Sequence, residues 1–131
     1  MSYKQIFVFG SNLAGIHGAG AAATALKHHG AIMGQGIGRQ GMSYGIPTKD
    51  ENLVVLPLYQ IRGYIDEFIQ YANSLPHQPF YVTKVGCGLA GYHNWEVAPM
   101  FKYAPSNCML HEEWKHIINQ LDTYSKELTE G

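Results

Sequence analysis

The 131-residue chain has only two cysteines, Cys87 and Cys108. Two thiols make no disulfide framework, so a reducing cytoplasmic setting is the expectation. Charge is also scarce: Asp, Glu, Lys and Arg make up 15% of the chain, the net charge is −1 and the pI is near 6.6. That balance offers no strongly basic face, and nucleic acid is not an expected partner. No apolar run reaches the length of a membrane span and no basic-then-apolar leader opens the chain, so no membrane partner is expected either. Metal-ligand spacing is missing. His28 and His29 are adjacent and so point to different helix faces, while His111 and His116 are five apart. Neither a metal nor a cofactor is expected. The most informative shortage is of acid: no Asp or Glu precedes Asp50, although Lys4, Lys27, Arg39, Lys49, His17, His28 and His29 all fall in that stretch. An anion bound there would meet no carboxylate from the segment.

What the chain does have is glycine, and much of it falls in two loops, each following an apolar strand. The first runs Gly10-Ser11-Asn12-Leu13-Ala14-Gly15-Ile16-His17-Gly18-Ala19-Gly20, after Ile6-Phe7-Val8-Phe9. The second runs Gly86-Cys87-Gly88-Leu89-Ala90-Gly91-Tyr92, after Phe80 to Val85. Glycine lets backbone amides approach a ligand, and a strand that opens through glycines into a helix aims those amides at the positive end of the helix dipole. Two such loops in one small domain suggest a crevice that grips a phosphorylated ligand from both sides.

The apolar content of 46% is that of an ordinary folded domain, and a single domain spanning 1–131 is expected. Strands are expected at Tyr3 to Phe9, Met42 to Thr48 (with Pro47 placing it near an edge or a strand end), Phe80 to Val85 and Asn107 to Leu110. Leu53 to Leu58 reads as strand or loop. Helices are expected from Ala19 to His29, closed by Gly30, and from Gly63 to Leu75, with Ile65, Phe68, Ile69 and Ala72 on one face. A short helix capped by Asn94 runs through Met100 and Phe101. A terminal helix opened by Ser106 or His111 buries Trp114, Ile117, Ile118 and Leu121, and the tail from about Thr123 frays. Ala31 to Gly41 reads as an irregular, mobile loop over the crevice. The alternation predicts an α/β sandwich around a mainly parallel sheet, with both glycine loops at the carboxyl ends of the strands, where such sheets bind ligands.

Individual residues carry two readings each. Gly18-Ala19-Gly20-Ala21-Ala22-Ala23 matches the dinucleotide fingerprint, but eight residues separate Gly10 from Gly18 and no acid follows at the usual distance, which argues against an NAD(P)-dependent Rossmann-like enzyme. Asn12 could meet a ribose hydroxyl or shape its own loop as an Asx-turn. Lys49 could bind phosphate or attack an electrophilic carbon, or be a solvated lysine beside Asp50. Cys87, with His17 or His93 as its base, could be nucleophilic, although a buried structural thiol is the simpler reading. Tyr92, Phe101 and Tyr103 offer stacking for a base or plain packing. A structural or interaction domain without a ligand is a further alternative.

Val85-Gly86-Cys87-Gly88-Leu89-Ala90-Gly91, followed by Trp95, Glu96 and Val97, resembles the phosphate loop of macrodomains, nearest the branch of terminal ADP-ribose–protein glycohydrolases and related deacylases. The stretch from Asn12 through Gly20 resembles that family's other ligand loop, and Tyr44 to Lys49 resembles its strand ending in a Thr-Lys pair. The similarity spans roughly Phe7 to Phe101, and similar compact proteins occur in bacteriophage genomes. The resemblance implies a three-layer α/β/α sandwich with a mainly parallel or mixed sheet, and binding of ADP-ribose or a related nucleotide, free or on an ADP-ribosylated macromolecule. It implies ligand contacts from Ser11, Asn12, Gly18, Ala19, Gly20, Gly86, Cys87, Gly88, Leu89, Ala90, Gly91 and Tyr92. It places Lys49 where that branch carries a nucleophilic lysine, which would make the protein an ADP-ribosyl hydrolase. The branch has an acid directly after Gly-Cys-Gly-Leu and an acid ahead of the first loop. Here the first position is Ala90, which favours binding over turnover. The second, which contacts the adenine amine in the family, has no counterpart, so binding of the diphosphate-ribose portion is expected ahead of adenine recognition.

Overall fold

In the strand β1, Ile6–Asn12, Ile6 and Val8 face one apolar cluster, while Phe9 and its partner Phe7 face another. Alternation of this kind, apolar on both faces, is what a strand covered on both sides requires. The computed structural model describes residues 4–130; Tyr3 and Gly131 lie outside them. Five strands form one sheet in the order β2-β3-β1-β4-β5, with β2 at Gly38–Gln40, β3 at Ser43–Lys49, β4 at Phe80–Val82 and β5 at Cys108–Met109. All neighbouring pairs are parallel except β2 with β3. Helix α1, Gly20–His28, packs its Ala22 and Ala25 against Phe9 on one face. On the other face lie α2 at Leu58–Ser74, α3 at Asn94–Val97 with the 3₁₀ turn Ala98–Phe101, and α4 at Glu112–Glu130. Their Ile61, Ile65, Phe68, Phe101 and fully buried Trp114 close the larger core over Ile6, Val8 and Ile46. The result is the expected α/β/α arrangement around a mixed, mostly parallel sheet.

Several elements differ from expectation for identifiable reasons. β1 continues three residues past Phe9, because Gly10, Ser11 and Asn12 keep pairing with Ile46, Pro47 and Lys49. The register slips between Ser11 and Asn12, which sets Asn12 beside Lys49. Of the two places expected for Pro47, the strand end is the one found: it sits near the carboxyl end of β3, an interior strand. β2 pairs only as far as Gly45, so beyond it the missing Pro47 N–H costs no ladder bond on that side. α2 begins five residues before Gly63, with Pro57 as its N-cap. Leu53 to Leu58 is loop up to the start of α2, apart from one bridge between Lys49 and Val55. β4 stops at Val82, although Thr83 still continues the pairing with β1 by donating both its amide and its Oγ1 to Val8 O. α3 is capped by His93 rather than Asn94. α4 runs from Glu112 to Glu130, through the tail after Thr123, and Leu121 is 44% exposed rather than buried.

The glycine-dense stretch 31–41 is not a loop over a crevice. It ends in strand β2, and before that it packs backbone-to-backbone behind the first glycine loop. Gly34 N donates to Gly15 O, and Ser11 Oγ donates to Gly36 O. A Cβ on Gly36 would stand 2.0 Å from Asn12 O, and one on Gly15 would stand 2.3 Å from Gly34 C. Only glycine permits that approach. No helix among the described residues is long and apolar enough to cross a membrane.

Candidate functional site

At the carboxyl ends of β1, β3 and β4 the chain leaves a cleft of about 720 Å³. β1 brings in Gly10, Ser11 and Asn12; β3 brings Thr48 and Lys49; α1 brings the turn Gly20-Ala21-Ala22; and the chain after β4 brings Thr83 through Ala90. The two glycine loops meet. A Cβ on Gly10 would lie 3.5 Å from Gly86 N, and one on Gly20 would lie 3.5 Å from Leu89 Cδ1. Gly20 and Gly86 sit at φ of +59° and +80°, which side-chain-bearing residues rarely adopt.

The floor of this cleft is a set of uncommitted donors. The N-cap residue Ala19 has extended backbone and no capping side chain, and the first turn of α1 holds no acid. The amides of Gly20, Ala21 and Ala22 therefore have no acceptor among the described residues, as the geometry of a helix start dictates. Across the cleft the amides of Gly86, Gly88, Leu89 and Ala90 also make no hydrogen bond among the described residues, whereas Cys87 N is held by Lys84 O. Among the described residues no Asp or Glu lines the cleft, and two lysines do. Lys84 is paired with Glu113 at 3.2 Å, and the same Glu113 oxygen accepts from Asn94 Nδ2 at 3.0 Å. Asn94 Oδ1 in turn accepts from Trp114 Nε1 at 2.9 Å, fixing that wall to the core. Lys49, half-buried at the end of β3, joins no ion pair among the described residues. Its neighbour Asp50 is occupied in its own turn, where Oδ1 accepts from Asn52 N and Val54 N.

Ser11, Asn12, Gly18, Ala19, Gly20, Lys49, Gly86, Cys87, Gly88, Leu89 and Ala90 thus converge on one cleft. Gly91 and Tyr92 do not line it: Gly91 N bonds Gly88 O and Tyr92 Oη donates to Leu56 O at 2.6 Å, so they shape the loop from behind. Asn12 is 8% exposed and uses both ends of its amide on Ile16, donating to its carbonyl at 2.8 Å and accepting from its N–H at 2.9 Å. That is the loop-shaping reading of this residue. Burial pushes the Cys87 thiol up to about 11, against a partial opposing pull from Lys84, so it stays protonated at neutral pH. Neither candidate base is bonded to it. His17 is 1% exposed, with Nε2 within hydrogen-bond reach of Gln35 O and Gln40 Oε1, while the ring of His93 is parallel to that of Trp95. Phe101 is core, and exposed Tyr103 lies under Lys102, away from the cleft.

Beyond the expected contacts the cleft is also lined by Gly10, Ile16, Ala21, Ala22, Thr48, Leu53, Thr83, Lys84, Val85 and Asn94. Thr83 and Lys84 had a signal, since they immediately precede the second loop. Leu53 had none: it is the one non-glycine residue at positive φ among the described residues, at +63°, in a turn set by Asp50. No group of three or more His, Cys, Asp or Glu suited to a metal occurs among the described residues. No protein-family model matches the chain, and neither curated proteins nor solved structures give a match.

Proposed function

We propose that this protein binds ADP-ribose or a related nucleotide through its diphosphate. The observation that carries the reading is the facing pair of free amide sets, from the start of α1 and from Gly86 to Ala90, over a cleft without a carboxylate. Amides that have no acceptor in the protein gain one from a bound anion without breaking a native bond, and the α1 dipole adds to them. Lys49 supplies the remaining positive charge. The resemblance of both loops to macrodomain ligand loops supports the same ligand.

Turnover is the second reading, favoured by Lys49 being free of protein partners. In it the neutral Lys49 amine bonds to the anomeric carbon of an ADP-ribosyl ester as the C–O bond to the linked carboxylate breaks. The carboxylate leaves as an anion and the amine's proton passes to water. Water then displaces Lys49 to release ADP-ribose, and the loop amides hold the diphosphate throughout. No acid stands in the cleft to assist, so binding leads.

Calorimetric titration with ADP-ribose, with AMP and NAD as controls, tests the reading. Micromolar affinity with preference for ADP-ribose over AMP is expected; no binding of any of the three refutes it. Lys49→Ala separates the two modes. Lost cleavage of an ADP-ribosylated protein with retained ADP-ribose binding identifies an enzyme, and no cleavage by the unaltered protein leaves a binding module.

A further inference from the structure

We infer that the cleft takes the base of its nucleotide by the faces of the ring alone, and so binds nucleoside diphosphates with little regard to which base they carry. This rests on the diphosphate reading above and adds what lies beyond the phosphates.

Three aliphatic side chains from three different loops line the cleft while remaining open to solvent. Ile16 is 48% exposed, Leu53 46% and Leu89 68%. Exposed leucines scattered singly need no explanation, but a collar assembled from separate loops around one cleft is a binding surface. Leu53 sharpens the point, because it is held at φ +63°, a conformation that costs energy for any residue with a Cβ and that glycine would adopt freely.

The hydroxyl and amide donors of the side chains lining the cleft are already engaged. Ser11 Oγ donates to Gly36 O, Thr48 Oγ1 to Ser11 O and Thr83 Oγ1 to Val8 O. Asn12 is bound at both ends to Ile16, and Asn94 bridges Glu113 and Trp114. Lys49 is a cation beside the anion-binding floor. A flat ring with apolar faces fits the collar, whereas the acceptors on its edge find no uncommitted hydroxyl or amide side-chain donor. A pocket that hydrogen-bonds a ligand group rejects analogues lacking it by orders of magnitude, while an apolar pocket discriminates weakly.

The test is a titration of the whole chain with inorganic pyrophosphate, ADP, GDP, CDP and UDP. All four nucleotides should bind within about fivefold of one another, purines ahead of pyrimidines on area, and each should bind more than about threefold tighter than pyrophosphate. Leu53→Gly suits the backbone and removes the side chain, so it should weaken the four nucleotides about three- to tenfold and leave pyrophosphate unchanged. Leu89→Ala should do the same. Preference for adenine beyond about thirtyfold overturns the inference, since that gap needs hydrogen-bond readout. So does pyrophosphate binding with no gain from any base, in which case the diphosphate reading survives alone. Failure of pyrophosphate and every nucleotide to bind removes both.

Discussion

Ala19→Asp should make the protein more stable and a worse binder at once. Ala19 already has N-cap backbone, with φ −152° and ψ 160°, and lacks a capping side chain. A carboxylate there would accept from the free amides of the first turn. Replacing alanine by aspartate at an N-cap gives about 1 kcal/mol, and the charge at the helix start adds about 0.5 kcal/mol. With an unfolding entropy of about 2.1 cal/mol/K per residue, each kcal/mol moves Tm by about 3–4 °C in a chain of this size. A rise of about 4–6 °C follows. The same carboxylate would occupy the amides that the diphosphate needs and would repel it. At about 4 Å and an effective dielectric near 20 the repulsion is about 4 kcal/mol. Ala19 is exposed and salt screens the pair, so a penalty of about 1.5–3 kcal/mol is expected, ten- to a hundredfold in Kd. Ala19→Asn separates the causes, capping without charge: it should keep most of the gain in Tm and lose less affinity. Calorimetry for Tm and titration with pyrophosphate at low and moderate salt provide the assay. A stabilised Ala19→Asp variant that binds pyrophosphate as well as the parent would refute the reasoning, because the capped amides would then have no part in the site.

Gly36→Ala should lower stability by about 3 kcal/mol, since the new Cβ would stand 2.0 Å from Asn12 O and backbone must move. Gly63→Ala, where the added Cβ meets nothing within α2, should instead raise stability by about 0.5–1 kcal/mol; denaturant midpoints check both. High pH should destabilise the fold. Burial holds the thiols of Cys87 and Cys108 and the phenol of Tyr44 protonated up to about 11, 12 and 12, against 9.0, 9.0 and 10.0 ordinarily. Above about pH 9 the unfolded chain binds fewer protons than the folded one, so the stability present below that pH falls as pH rises toward 12. Denaturant midpoints that stay flat between pH 8 and 11 would contradict this.

The sequence carried the strand–helix alternation and the convergence of the glycine loops because both are local signals: apolar strands ended by glycines, and an alanine-rich helix after one of them. It misplaced what depends on distant partners. β1 was read three residues short because Gly10 and Ser11 are poor strand formers alone, and only pairing with Ile46 and Pro47 extends them. α2 starts five residues before Gly63, whose position faces open space and interrupts nothing; the apolar face at Ile65, Phe68, Ile69 and Ala72 marks only its later turns. Asn12 could not be decided from sequence, since its two bonds to Ile16 depend on how the intervening turn folds. Leu53 was invisible for the same reason, its place in the cleft being set by a strained backbone that its residue type disfavours.

The tight seating of residues 34–36 against Asn12 and Gly15 bears on timing. Nothing from 31–41 lines the cleft, so that stretch is a backing plate and contributes no door. Entry and departure then need no swing of that segment, and a ligand tethered at its far end to a bulky macromolecule can dock end-on. With no gate from that stretch in the path, weakening a contact within the cleft shortens residence directly. Whatever anion the cleft takes, residues 31–41 then set neither the rate of its entry nor that of its departure.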